Sequence, residues 1–363
     1  DPSELGQSPS PTASHPEAFS LHRPTPEQPW PPSSSQGAAL KAALATGNVT
    51  LQSGAVVSHL ILDNDSPKAK GVAYIEREGK QPREAFAKTI FLCASAIEST
   101  RILLHSTTPY QPNGLANKSD CLGRYLMDHV STTQFFHWPN SPLAERTQEM
   151  SGSHSFFVPC FVNLGEQTEN FKRGYGIWGG VQRFDMPSLV KKVGKGAIGF
   201  LIAHGEVLPR PENRVTLSPS TDAWGIPIPH IDCAWGDNEI NMLAHMHDQI
   251  ESLVQLVGGQ CLSLNELFHI PVLSEYVKRL EKTMSFSAPP GFYIHEVGGA
   301  AMGSSPSNSV VNAHNQLWES PNVFVTDGAC WPSSGWQSPT LTEMAVTARA
   351  CEFAAIALQR GQL

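Results

Sequence analysis

The chain has 363 residues, a formal net charge of −8 and 40% hydrophobic side chains, so its length allows one large or two ordinary domains with a real core. The mild acidity and the lack of a basic run argue against nucleic acid as a partner, and no stretch approaches the ~20 apolar residues of a membrane-spanning helix. The seven cysteines are scattered singly, which is typical of reduced thiols in a reducing compartment. The first residues show no apolar signal-peptide region, so a cytoplasmic location is predicted.

The first 36 residues form an arm rich in proline and serine. No hydrophobic period is visible in it, so residues 1–36 are expected to be disordered or loosely attached. From Gly37 the composition is that of a globular chain.

A strand followed directly by a helix is predicted at residues 89–104. The apolar run 89–94 precedes Ser95-Ala96-Ile97-Glu98, which has the pattern of a capping box. Such a unit can present backbone N–H groups to a phosphate or cofactor. By itself the pattern is common, and a βα unit with only a structural role explains it more often.

Residues 131–290 have the β-type composition and Gly/Pro punctuation of an antiparallel sheet. A helix from Asp237 to the Gly258-Gly259 pair interrupts the strands. His245 and His247 lie two residues apart on that helix and therefore face different ways, so no metal site is predicted.

Three features follow one another near the C-terminus. His295 lies in a His-x-x-Gly-x-x-x-Met-Gly run, and a short apolar strand at 322–326 ends in Asp327-Gly328. A helix then opens at Ser338-Pro339-Thr340, with Ser338 expected at the cap and Pro339 at the first helical position. Its apolar residues at helical spacing are Leu341, Met344, Ala345, Ala348 and Cys351.

The start of that helix is chemically useful. Its free N–H groups and the helix dipole favour an anion or a developing negative charge, such as that on a flavin that accepts a hydride. A histidine on the other side of a substrate could take a hydroxyl proton. Trp331 and Trp336 flank the predicted site, where they either line a binding pocket or pack the core.

This C-terminal stretch resembles the glucose–methanol–choline (GMC) flavin oxidoreductases on residues 295–303, 323–329 and 338–342. The resemblance implies that His295 is the active-site base and that Asp327, Gly328, Pro339 and Thr340 lie against FAD. It continues in residues 47–63, 70–75 and 89–106, where Val57 matches an adenine-reading position and Cys93, Ala94 and Ser95 match an FAD-facing loop. Residues 121–129 also match, and His129 is expected to be a structural hydrogen-bonding residue.

Two positions depart from the family pattern. Gly299 replaces a usual threonine, and Ser338 stands where the second catalytic residue is usually asparagine or histidine. Serine can donate or accept a hydrogen bond but cannot act unaided as a base. Ser338 is thus predicted to hydrogen-bond the substrate oxygen.

No Gly-x-Gly-x-x-Gly run is predicted to follow a strand, the context in which this fingerprint cradles a dinucleotide pyrophosphate. The resemblance therefore covers the C-terminal two-thirds of a GMC enzyme, and a missing N-terminal FAD-binding segment is a candidate partner. The expected fold class is α+β: a partial FAD domain from residues 37–130 and 291–363, and a substrate domain from residues 131–290. The expected activity is FAD-dependent oxidation of an alcohol to a carbonyl. The alternative is a non-catalytic fragment or subunit that no longer binds FAD by itself.

Overall fold

A computed structural model describes residues 34–62, 66–142, 155–181, 192–267, 279 and 288–363. The predicted arm at residues 1–36 lies almost entirely outside these ranges. The described residues divide into two units. Residues 34–54 form a small unit that contains helix α1 (Ala39–Ala45). The second unit begins at Ala55 and contains every predicted site residue.

The second unit opens with an antiparallel meander of β1 (Ala55–Leu62), β2 (Ala69–Glu76) and β3 (Pro82–Phe86). The short strand β4 (Ile90–Leu92) follows, and α2 (Ala96–His105) begins four residues after it. The predicted strand-to-helix unit at residues 89–104 is therefore confirmed.

The largest sheet comes from the middle of the chain. It contains β5 (Val130–Trp138), β6 (Ser155–Val158), β7 (Tyr175–Val181) and β8 (Ala197–Gly205). A hairpin of β9 (Arg214–Thr221) and β10 (Pro227–Asp232) follows, then α3 (Asp237–Leu256), β11 (Gln260–Leu262) and a helical turn, α4 (Leu264–Leu267). The sheet order is β11-β5-β8-β7-β6, and every pair is antiparallel.

The last elements are β12 (Val323–Val325), a single 3₁₀ turn at Gly328–Cys330 and the long helix α5 (Thr340–Gln359). β12 pairs in parallel with β4 across more than 200 residues of sequence. The mixture of a parallel pair, antiparallel sheets and helices confirms the predicted α+β class. Within the described residues, none of the helices combines the length and hydropathy that crossing a bilayer requires.

Two main hydrophobic clusters support the second unit. One surrounds β4, β12 and α2, and the other lies between the large sheet and α3, where Met242, Met246 and Ile250 are buried. Trp331 packs against both clusters, so it has a core role at least. Trp336 stacks on Phe157, with ring centroids 5.4 Å apart.

Helix α5 buries its small side chains. Its buried residues are Ala350, Ala354 and Ala357, of which the first two pack in one cluster with Phe324 of β12. Small side chains let the helix approach the strand closely. The residues whose spacing predicted the helix are all exposed: Leu341, Met344, Ala345, Ala348 and Cys351. The predicted helix is present, and these residues do not form its buried face.

Candidate active site

One part of the site lies where two parallel strands end side by side. Leu92 of β4 is opposite Val325 of β12, so the residues after each strand meet at one edge of the pair. Cys93 and Thr326 make an Sγ···Oγ1 contact of 3.2 Å there. Residues 93–95 are exposed at this edge, so their backbone is accessible to a ligand.

The Asp327 carboxylate belongs to the same edge. It accepts hydrogen bonds from Ser99 Oγ (2.5 Å) and the Ala329 N–H (2.9 Å). Burial raises the pKa of Asp327, and the bond from Ser99 opposes that rise. Ser99 Oγ also accepts from the Ala94 N–H at 3.1 Å. The predicted capping box is wrong, because Ser95 has φ +75°, outside the extended region that a cap residue adopts, and makes no side-chain cap bond.

The segment after His295 is joined to the Asp327 turn through the backbone. The Gly298 N–H donates to the Gly328 carbonyl at 2.8 Å. A Cβ on Gly328 would lie 2.6 Å from the Glu296 carbonyl oxygen and 3.1 Å from Oε1 of Glu343, so only glycine fits without movement. Since Glu343 is in the first turn of α5, this one glycine brings the His295 segment, the Asp327 turn and the start of α5 together.

His295 itself belongs to a cluster of aromatic polar side chains. Its ring centroid is 5.0 Å from that of His129, which is 5.5 Å from that of His204. The Tyr293 ring lies 4.3 Å from the His204 ring. Four buried ring nitrogens have no hydrogen-bond partner of normal geometry among the described residues: Nδ1 and Nε2 of His129, Nε2 of His204 and Nδ1 of His295. Over the same residues, no three His, Cys, Asp or Glu side chains are arranged to hold a metal ion.

Burial and mutual repulsion keep two of these histidines neutral. Desolvation, followed by the charge of His295, lowers the pKa of His129 to about 4. Desolvation, followed by repulsion from His129 and His295, lowers the pKa of His204 to about 3. Burial raises the pKa of Tyr293. At neutral pH the cluster therefore offers uncharged donors and acceptors around His295.

Comparison with known proteins identifies the family. Two models described as GMC oxidoreductase match the chain, one over residues 21–131 and the other over residues 209–347. The matched ranges contain the exposed loop at 93–95 and the His295 segment. The chain belongs to the GMC oxidoreductase family.

Individual GMC relatives match over a large part of this chain. The 2-methyl-1,2-propanediol dehydrogenase of Mycolicibacterium austroafricanum is 29% identical over 79% of this chain and 51% of its own length. The fructose dehydrogenase large subunit of Gluconobacter japonicus is 26% identical over 78% of this chain and 50% of its own. The chain thus spans about half the length of these relatives.

Solved structures share the fold. Pyridoxine 4-oxidase from Mesorbium loti superposes with a TM-score of 0.56 at 20% identity, covering 90% of this chain and 61% of that one. A formate oxidase from Aspergillus oryzae gives a TM-score of 0.57 at 13% identity, covering 84% of this chain and 60% of that one.

The second predicted catalytic residue of this GMC chain lies on the surface. Ser338 is exposed, and its hydroxyl makes no hydrogen bond within the described residues. α5 begins at Thr340, with Pro339 at the cap position in helical conformation, so the predicted cap at Ser338 is one residue too early. Val57 is half-buried on β1 and packs against the cluster around β4. The base role of His295 and the contacts of FAD with Val57, Cys93, Ala94, Ser95, Asp327, Gly328, Pro339 and Thr340 stay predictions.

Three residues of the site were missed from the sequence. His204 and Tyr293 show no motif, because only the pairing of β8 with β5 and the turn before His295 bring them together. Asp128 stood in a recognised stretch beside His129, but its contacts are with residues far along the chain. Neither ring nitrogen of His129 has a partner of normal hydrogen-bond geometry among the described residues. Hydrogen bonds with the backbone of Gly205 and Gly335 nevertheless act to raise its pKa, so the expected hydrogen-bonding role of His129 stays a prediction.

Proposed function

We propose that this chain carries the substrate side of an FAD-dependent enzyme that oxidises an alcohol CH–OH group to a carbonyl. The observation that carries the proposal is the position of His295, among two histidines held neutral and on a segment whose Gly298 N–H bonds the Asp327 turn. The relatives support it, since they are dehydrogenases and oxidases named for a diol, for fructose and for paromamine.

His295 is assigned the role of base. When bound, FAD supplies the acceptor of the hydride that leaves the carbinol carbon. The hydroxyl proton passes to Nε2 of His295, because its Nδ1 is buried. The rings of His129 and His204, kept neutral by burial, add no competing charge beside His295.

Ser338 is the proposed second contact to the substrate oxygen. Its hydroxyl is exposed and makes no hydrogen bond within the described residues, so it is available to a ligand. A serine hydroxyl can orient an oxygen but cannot take up the proton at neutral pH. Ser338→Ala is therefore expected to raise KM more than it lowers kcat.

The residues present fit the flavin end of FAD better than its pyrophosphate. The loop at 93–95 and the start of α5 are exposed and lie near Asp327, as a flavin edge requires. The Gly-x-Gly-x-x-Gly run at residues 194–199 leads into strand β8 and not into a helix, so it is not the fingerprint that cradles the two phosphates. We infer that a segment outside this sequence supplies that part and covers α5, where Leu341 and Met344 are 78% and 64% exposed.

A second candidate function is a non-catalytic subunit of a GMC-like assembly. The same exposed face of α5 favours it, because an apolar helix face is typical of a surface that a partner covers. One relative is itself named as a large subunit. A purified chain that acquires flavin absorbance with the added segment, but never oxidises an alcohol, would favour this candidate.

The test of the enzymatic function is His295→Asn in the flavin-loaded form. Loss of a general base lowers turnover typically by about 10²–10⁴-fold, while flavin stays bound. The matched control is His230→Asn, an exposed histidine on β10. Equal turnover of the His295→Asn variant and the control would remove His295 from the mechanism.

A further inference from the structure

A buried carboxylate anchors the segment that carries His295. Asp128 is only 2% exposed. Its Oδ2 accepts from the Gly291 N–H (2.9 Å) and the Tyr293 N–H (3.1 Å). Its Oδ1 accepts from the N–H of His295 (3.3 Å) and from that of its neighbour His129 (2.7 Å). Three N–H groups of the segment 291–295 thus converge on one side chain.

The same segment has a strained backbone. Ile294 has φ +53°, in the left-handed region that a β-branched residue rarely adopts. Its side chain is 78% exposed, so no burial compensates for the strain. The two N–H groups on either side of it, those of Tyr293 and His295, are both bonded to Asp128. A strained conformation persists only where its surroundings fix it, and here the carboxylate does so.

The anchoring also explains where the ring of His295 lies. Met127 and Val297 exchange two backbone hydrogen bonds, of 2.8 and 2.9 Å, so the two segments cross at a fixed register. Beyond that crossing, Asp128 holds the returning backbone, and the next residue, His129, places its ring 5.0 Å from that of His295, edge to face. Asp128, which holds the backbone of the segment, and His129, whose ring contacts that of His295, are thus consecutive residues.

We propose that Asp128 is a positioning residue for His295: its carboxylate keeps the segment 291–295 in the left-handed turn that places the His295 ring against His129. The expected effect on kcat rests on the proposed function of His295. The effect on the conformation of residues 291–295 can be measured without any substrate. Neither Asp128 nor Ile294 touches the reacting atoms in this scheme; each acts through the backbone.

The test is Asp128→Asn in the full chain, with Asp248→Asn, an exposed carboxylate on α3, as the matched control. The asparagine side chain keeps the shape of the carboxylate, but its NH₂ group cannot accept the hydrogen bonds that the backbone N–H groups donate to Asp128. Exchange of the backbone amides of residues 291–295 should become roughly tenfold faster. The NMR cross-peak between the His129 and His295 rings should weaken or vanish. In the flavin-loaded form kcat should fall by up to about 100-fold, with KM within a factor of about two, since a misplaced catalytic group costs turnover rather than binding.

A second variant separates positioning from general stability. Ile294→Asn places a residue that tolerates the left-handed region at the strained position. In the Asp128→Asn background it should recover part of the amide protection and of kcat, whereas it would recover neither if Asp128 served only the overall fold. Wild-type amide exchange and an intact ring cross-peak in Asp128→Asn would overturn the proposal. If His295→Asn turns over normally, the proposed function fails, while amide exchange and the ring contact still decide the role of Asp128.

Discussion

Acid should destabilise this protein through its buried histidines, and the size of the effect can be worked from their pKa values. His129 and His204 have folded-state pKa values lowered to about 4 and about 3. In the unfolded chain a histidine titrates near 6.5. Between pH 6.5 and pH 5 the unfolded state therefore binds protons that the folded state does not, so stability is fully present above pH 6.5 and is lost as the pH falls.

The magnitude follows from the width of that window. At pH 5 the cost per histidine is about 1.5 pH units at about 1.36 kcal/mol each, or about 2 kcal/mol. His129 and His204 together give about 4 kcal/mol, a large share of the 5–15 kcal/mol typical of a protein. The raised pKa of Asp327 has the opposite sign, because a buried protonated carboxyl favours the folded state as the pH falls. A comparison of variants is therefore needed to isolate the histidines.

The assay is urea unfolding at pH 7 and at pH 5, applied to the wild type, His204→Gln and His230→Gln. His204→Gln should lose about 2 kcal/mol less on acidification than the wild type, since one buried imidazole no longer needs to stay neutral. His230→Gln, an exposed position, should behave as the wild type does. An equal loss in all three proteins would refute the assignment of neutral, buried histidines.

Three further predictions concern the support of the site and the cofactor. Asn322→Ala removes a buried amide that makes three backbone hydrogen bonds, two with Ala69 and one with Lys88, so the free energy of unfolding should fall by about 3 kcal/mol in chemical denaturation; a loss under 1 kcal/mol would contradict that network. Gly328→Ala places a Cβ too close to the Glu296 carbonyl oxygen, so overpacking should cost about 1–3 kcal/mol and lower the melting temperature by a few degrees. The control Gly194→Ala, whose Cβ would have no atom within 4 Å, should leave the melting temperature unchanged. FAD titrated into the chain alone, followed by fluorescence quenching, should bind weakly, since the predicted elements lack the glycine fingerprint whose charge-assisted hydrogen bonds to the phosphates contribute about 1.5–3 kcal/mol each; submicromolar binding would show that another loop does this work.

The local part of the site could be predicted from the sequence. A short apolar strand followed by Asp327-Gly328, and another followed by Cys93, indicate two strand ends, and the parallel pair β4–β12 brings them together. His295 could be proposed from the sequence because its motif is continuous in the chain. These predictions depend on residues close in the chain, where pattern and structure are directly related.

What the sequence did not reveal depends on long-range contacts. Asp128 acts on backbone groups more than 160 residues away, and nothing in its local pattern indicates that. The predicted capping role of Ser95 was wrong because Ser95 has a positive φ in the turn that leads towards Asp327. Ser99, and not Ser95, makes the side-chain hydrogen bond to Asp327. The buried face of α5 does not follow from the spacing of its large apolar residues, because close approach to β12 selects small alanines and the larger side chains remain outside.

The most direct test of the account is a single turnover without oxygen. The chain is loaded with FAD together with a separate segment that carries a glycine fingerprint, mixed with an alcohol, and the loss of flavin absorbance is followed over time. The account predicts that bound FAD is reduced, and that His295→Asn slows this reduction by about 10²–10⁴-fold without releasing the flavin. Reduction at the same rate with and without His295 would contradict the central claim.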